Sequence, residues 1–200
     1  MVEDIYVFED IISKEKQDIL EAYFKDDTID WKEGNNIWYV NVPTPQGVLK
    51  PDQINNEKVY AIIEEIEQNV LSKLNLIYLD TYRFKVNRLL ADPKYAHHDN
   101  RISIHIDRSE AHIAMVYYIN SADGDTKFYK LENGTLSKWK TYIEEEDYSK
   151  FKEIYSVKPN KGSIAVFNGH TPHHSSYPAN SNRYVINFNT VPVVNTGALL

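Results

Sequence analysis

The chain has 200 residues, 42% hydrophobic and 12% aromatic, which excludes a disordered segment and suits a domain with a substantial core. Its 22 basic and 29 acidic residues leave a net charge of −7, which argues against broad attraction to nucleic acid or an anionic membrane. No apolar run approaches the roughly 18 residues that span a membrane.

From the start, Ile5-Tyr6-Val7-Phe8 predicts a short strand. Ser13 has the character of a helix N-cap, and Ile19, Leu20, Tyr23 and Phe24 supply the apolar stripe behind it. Trp38 to Val42 predicts another strand, ending at Pro43. The clearest helix runs from about Ile54 to Leu74. There Val59, Ile62, Ile63, Ile66, Val70, Leu71 and Leu74 recur at spacings of three and four, with Glu64, Glu65, Glu67 and Lys73 on the other face.

From Thr81 the period changes to two, Tyr82, Phe84 and Val86 alternating with Arg83, Lys85 and Asn87. Further strands are expected at Ile102–Asp107, His112–Asn120, Thr126–Tyr129, Ile154–Val157, Ser163–Phe167 and Arg183–Thr190. Helices followed by a run of strands predict an α+β fold. No repeat or low-complexity linker interrupts the chain, so one domain is expected over 1–200, with 1–80 as helical buttress and edge strands and 81–191 as the β core. The polar stretch from Lys130 to Lys152 contains Trp139, Tyr142 and the run Glu144-Glu145-Glu146-Asp147. It reads either as a solvated surface excursion or as a lid over a substrate groove.

The chain has no cysteine, so any metal must be held by His, Asp or Glu, and disulfides are excluded. With no basic-then-apolar leader at Met1-Val2-Glu3-Asp4-Ile5, a cytoplasmic location is expected. All seven histidines fall between positions 97 and 174. On a strand, His105-Ile106-Asp107 points its imidazole and carboxylate to one face. Joined by a distal histidine, such a pair makes the two-His, one-carboxylate set of non-haem Fe(II) sites. His97-His98-Asp99 is a second H-x-D, but it lies between Pro93 and Asn100 in a loop-like segment, so the later pair is preferred. On the strand from Arg183, Tyr184, Ile186 and Phe188 form one face; Arg183, Val185, Asn187 and Asn189 form the other. A guanidinium turned inward needs an anion. A ligand carboxylate meets that need, and so does an internal Arg–Asp or Arg–Glu bridge.

The stretch from about Phe84 to Val191 resembles small prolyl-4-hydroxylase-type 2-oxoglutarate/Fe(II) oxygenases, close in pattern to phage-encoded members. The residues that carry the resemblance are His105-Ile106-Asp107, Tyr117-Tyr118-Ile119-Asn120, Gly124 to Phe128, Pro159 to Phe167, Pro172-His173 and Arg183 to Asn189, in that order and spacing. The resemblance implies a double-stranded β-helix, a jelly-roll or cupin-like barrel buttressed by the N-terminal helices. It implies that His105, Asp107 and His173 hold Fe(II). His173 is selected over His174 because the ligand follows Pro and falls six residues after the strand-ending Phe167.

By the same resemblance, Arg183, helped by Tyr118, binds the distal carboxylate of 2-oxoglutarate. O2 is the second cosubstrate, succinate and CO2 are released, and a substrate C–H is hydroxylated, first of all on a peptidyl proline. A free amino acid or small metabolite is the alternative substrate. Asn189 stands where the nucleic-acid demethylases of the wider group carry a second arginine, so nucleic acid is not the expected partner. His112 and His170 are expected in surface or hydrogen-bonded core roles, and Gly124-Asp125 in a turn. Two rivals from other classes are a zinc or manganese hydrolase or isomerase on the same ligands, and a non-catalytic barrel that binds a partner. Oligomeric state is left open.

Overall fold

In the computed structural model, which describes residues 4–34, 37–42, 56–94, 103–132 and 143–194, ten strands form two sheets and two helices back the larger. The strands are β1 (Tyr6–Phe8), β2 (Lys32–Gly34), β3 (Ile37–Val42), β4 (Leu76–Leu89), β5 (Ile113–Tyr118), β6 (Thr126–Leu131), β7 (Phe151–Val157), β8 (Ile164–Asn168), β9 (His173–Ser175) and β10 (Arg183–Val194). The larger sheet runs β1-β8-β5-β10-β4-β3-β2 and the smaller β7-β6-β9, with every pairing antiparallel. This is the expected α+β arrangement, a double-stranded β-helix of two facing sheets.

Helix α1 (Lys14–Phe24) starts where Ser13 accepts a hydrogen bond from the Lys16 amide. Helix α2 (Glu57–Lys73) starts behind Asn56, whose side chain accepts from the Val59 amide at 3.1 Å. The expected start at Ile54 lies outside the described residues. The apolar stripe of α2 is buried as its spacing predicts, Leu74 only partly, against Phe84, Val86, Ile186 and Phe188. Each such side chain contributes roughly 1.5–3 kcal/mol.

One residue of the expected solvent face does the opposite. Glu67 is buried and accepts a hydrogen bond from the Thr190 hydroxyl of β10. The helix period placed it among the acids, and the neighbouring strand supplied a donor that made burial tolerable.

Strand β10 divides the core. Tyr184, Ile186 and Phe188 join the cluster under the helices, while Val185 joins a second cluster between the sheets with Ala114, Val116, Tyr118, Phe128, Val157, Ala165 and Phe167. Register shifts follow Asn189 and Val191, so Pro192 is accommodated at an irregularity of the ladder.

One expectation is corrected and another holds in part. Among the described residues of the segment expected as the strand Ile102–Asp107, only His105 is paired, by an isolated bridge to His173. Of the polar stretch after Lys130, Glu144 and Glu146 are exposed as the surface reading expects, while its described ends pack: Lys130 and Leu131 end β6, and Ile143 is buried with Tyr148 and Phe151 against Ile104. The Ile143 amide donates to the Ile104 carbonyl at 2.9 Å, and the Glu144 to Asp147 run leads into a short 3-10 turn, Glu145–Lys150. Trp139 and Tyr142, and with them the lid reading, lie outside the described residues. No described helix is long and apolar enough to cross a membrane.

Candidate metal centre

Residues 104 to 107 alternate strictly, with Ile104 and Ile106 buried on one side and His105 and Asp107 on the other. A pair of backbone hydrogen bonds, both 2.9 Å, locks His105 to His173 on β9, and their rings lie 4.6 Å apart. One ligand atom from each of His105, Asp107 and His173 lies within 4.8 Å of the others, the spacing of a shared cation. Contacts behind the ligands fix the ring orientations. The Nδ1 of His105 is 2.8 Å from the Ser103 carbonyl and that of His173 is 2.9 Å from the Thr171 carbonyl. A carbonyl only accepts, so each Nδ1 carries the hydrogen and Nε2 is the ring atom left to a metal.

The Asp107 carboxylate is held at Oδ2 by the Asn189 amide, at 2.9 Å. The sequence reading placed Asn189 on the Arg183 face of its strand and noted it as a missing arginine, but gave it no part at the metal. His173 is walled by Phe167 and Phe128, at ring distances of 4.8 and 6.2 Å. Burial, with His105 second, pushes its pKa down to about 4, so the imidazole is neutral at ordinary pH. His174 faces the other side of β9, fully buried, with Nε2 2.8 Å from the Tyr129 hydroxyl and its ring stacked on that phenol. It is not among the three. His97, His98 and Asp99 lie outside the described residues.

Arg183 opens β10 and is 1% exposed. Its guanidinium donates to the Thr126 hydroxyl at 2.8 Å and lies over the Tyr118 ring, whose hydroxyl donates to the same Thr126 oxygen at 2.8 Å. Thr126 thus anchors both groups, a role that sequence reasoning missed although it lies inside the Gly124 to Phe128 motif. Its signal was position, at the start of an inward-facing strand.

No carboxylate among the described residues pairs with Arg183, and its Nε is buried with no partner. The internal salt bridge held open above is therefore not formed there. Burial pushes the guanidinium pKa down, yet arginine keeps its proton, so the face carries a buried positive charge awaiting an anion. Burial raises the Tyr118 pKa and keeps the phenol a donor. A metal-binding trio and an unpaired guanidinium on one concave face fit a metal together with a dicarboxylic acid that bridges the two.

The family model described as the 2OG-Fe(II) oxygenase superfamily matches residues 84–191, more than half of the chain. The chain belongs to that superfamily. This oxygenase therefore uses Fe(II) and 2-oxoglutarate, with O2 as the other cosubstrate, and the resemblance on which the sequence reading rested is borne out at the level of that superfamily.

No curated protein matches its sequence significantly. Among solved structures it is similar to a prolyl hydroxylase from Trichoplax adhaerens in complex with a hypoxia inducible factor peptide fragment (TM-score 0.60, 12% identity, 93% of this chain and 82% of that one). It is similar also to HygX from Streptomyces hygroscopicus with nickel, 2-oxoglutarate and hygromycin B bound (0.62, 10%, 96% and 84%). A Pseudomonas putida prolyl-4-hydroxylase gives 0.57 at 14% identity, with 94% and 92% covered. Identities this low speak for the shared fold and not for the substrate.

Proposed function

We propose that this oxygenase hydroxylates a peptidyl proline and releases succinate and CO2. In this reading His105, Asp107 and His173 hold Fe(II) from one side. Arg183 pairs with the distal carboxylate of 2-oxoglutarate, with Thr126 fixing the guanidinium and Tyr118 packed beneath it. The observation that carries the reading is the buried guanidinium without a carboxylate partner among the described residues, on the same concave face as the three metal-ligating side chains. Bound iron supplies the redox chemistry of 2-oxoglutarate decarboxylation and C–H hydroxylation; the chain binds, orients and excludes water. Phe128 and Phe167 form the dry wall beside His173. A zinc or manganese hydrolase on the same ligands would have no use for Arg183.

Proline as the target is supported by the prolyl hydroxylases among the similar structures. A second reading, hydroxylation of a free amino acid or small polar metabolite, is favoured by the likeness to HygX with hygromycin B bound. Succinate release measured across proline-containing peptides and small metabolites separates the two. The expected result is peptide-stimulated release with one oxygen atom added at proline, lost in His105→Ala and Asp107→Ala and kept in His97→Ala. Release stimulated only by small metabolites would replace the first reading with the second.

A further inference from the structure

The concave face of the larger sheet changes character between two strands. Across β8, β5 and part of β10 it is apolar, with Val116, Ala165 and Val185 packed against Phe128 of the smaller sheet. Opposite Val185 in the β10–β4 ladder stands Asn87. The next residue on that face of β10 is Asn187, and the one after is Asn189, which holds Asp107. The apolar packing between the sheets therefore gives way to a polar patch, in which Lys85 stands opposite Asn187 and the two carboxamides on adjacent strands are diagonal neighbours about 7 Å apart.

Both amides are half-buried, and the Oδ1 of Asn87 is buried with no hydrogen-bond partner. Buried polar atoms are normally paired. An exception on the face that carries Arg183 and the Asn189 anchor of Asp107 points to a ligand as the partner.

The donor and acceptor inventory narrows that ligand. Each carboxamide offers N–H donors and an accepting oxygen, and the two ends can exchange places. A carboxylate could engage only the N–H groups. A peptide unit, which holds an N–H and a C=O at fixed spacing in one plane, satisfies both ends with one rigid group; a polyol, whose hydroxyls also donate and accept, is the rival that the test includes.

We propose that Asn87 and Asn187 are specificity-determining residues that recognise a main-chain amide of a peptide substrate and so set which residue meets the metal. The proposal rests on the oxygenase reading above and, within it, takes a peptide as the substrate, with a free amino acid or a polyol as outcomes of the test.

The test is anaerobic calorimetry on the Fe(II)- and 2-oxoglutarate-loaded enzyme with capped proline tripeptides, alongside versions in which each amide in turn is an ester. Free proline and an aminoglycoside serve as the competing probes. One ester position is expected to weaken wild-type binding about ten-fold, and Asn87→Ala and Asn187→Ala to weaken the all-amide peptide by a similar factor and erase that difference. Asn87→Ser, which keeps a donor and an acceptor, is expected to recover part of the loss. Affinity for 2-oxoglutarate, titrated separately with Mn(II), should stay within about twofold in all three variants.

Equal affinity for amide and ester peptides, unchanged peptide affinity in the variants, or binding of only free proline or the aminoglycoside would overturn the proposal. A matching loss of 2-oxoglutarate affinity in the variants would overturn it too, by assigning the amides to the cosubstrate. Failure of the wild type itself to bind 2-oxoglutarate with Mn(II) is a separate result, and it would overturn the oxygenase reading beneath.

Discussion

At Asp107 the decisive partner is one amide, the Asn189 donor at 2.9 Å. Groups that orient a ligating carboxylate are worth ten- to a hundred-fold in metal affinity, so Asn189→Ala is expected to weaken Mn(II) binding by about that factor, measured by calorimetry. Unchanged affinity would mean that Asp107 is positioned without it. Arg183 presents the converse case, a buried charge that no carboxylate among the described residues pairs with, Asp125 acting on it only at longer range. Arg183→Met is expected to raise the 2-oxoglutarate requirement at least ten-fold with metal binding retained. The same change should leave the apoprotein as stable or more stable, by about 1–4 kcal/mol in chemical denaturation, because it removes an uncompensated desolvation cost. A loss of stability would show that the bond to Thr126 and the packing on Tyr118 outweigh that cost. His105, Asp107, His173 and Arg183 were legible because their residue types admit few roles in such spacing. Thr126 and Asn189 were not, since hydroxyls and amides are common on any polar face.

Elements were legible in proportion to their length and periodicity. Helix α2 repeats its apolar spacing over 17 residues, and its fully buried Ile63 lies at the centre of the stripe. Ile63→Ala is expected to cost about 2–5 kcal/mol, read from the denaturation midpoint with the slope unchanged. Strand β2 went unforeseen: three residues such as Lys32-Glu33-Gly34 carry too little alternation to register. The segment around His105 erred the other way. Its alternation is genuine, but the partners on either side are a single residue of β9 and the backbone at Ile143, so facing is preserved without a ladder.

For the molecule as a whole, acid stability follows from the histidines between the sheets. Burial holds His173 at about 4 and also lowers His112, which has its Nδ1 2.8 Å from the Glu110 carbonyl. In the unfolded chain both titrate near 6.5. Below that pH the unfolded state takes up protons that the folded state refuses, so stability rises with pH across this window and is lost as pH falls through it. Between pH 6.5 and 4 the metal-free protein is expected to lose roughly 3 kcal/mol through His173 alone. Urea midpoints across that range, compared with His173→Gln, measure this contribution; equal slopes for the two proteins would show that His173 is charged in the fold. Saturating Mn(II) is expected to raise Tm by mass action and most strongly at neutral pH, where the ligands need release no proton.

The order and type of the main elements, the facing of His105 with Asp107, and the two faces of β10 were already determined along the chain, because side-chain periodicity is a local property of backbone geometry. Register between distant strands is not local, and the contacts it creates were decided only in three dimensions. Asn189 reaches Asp107 from 82 positions away, Arg183 reaches Thr126 from 57, and Thr190 reaches Glu67 from 123. Each joins groups whose meeting depends on how the sheets and helices stack, and a one-residue slip of any strand would turn those side chains to the opposite face.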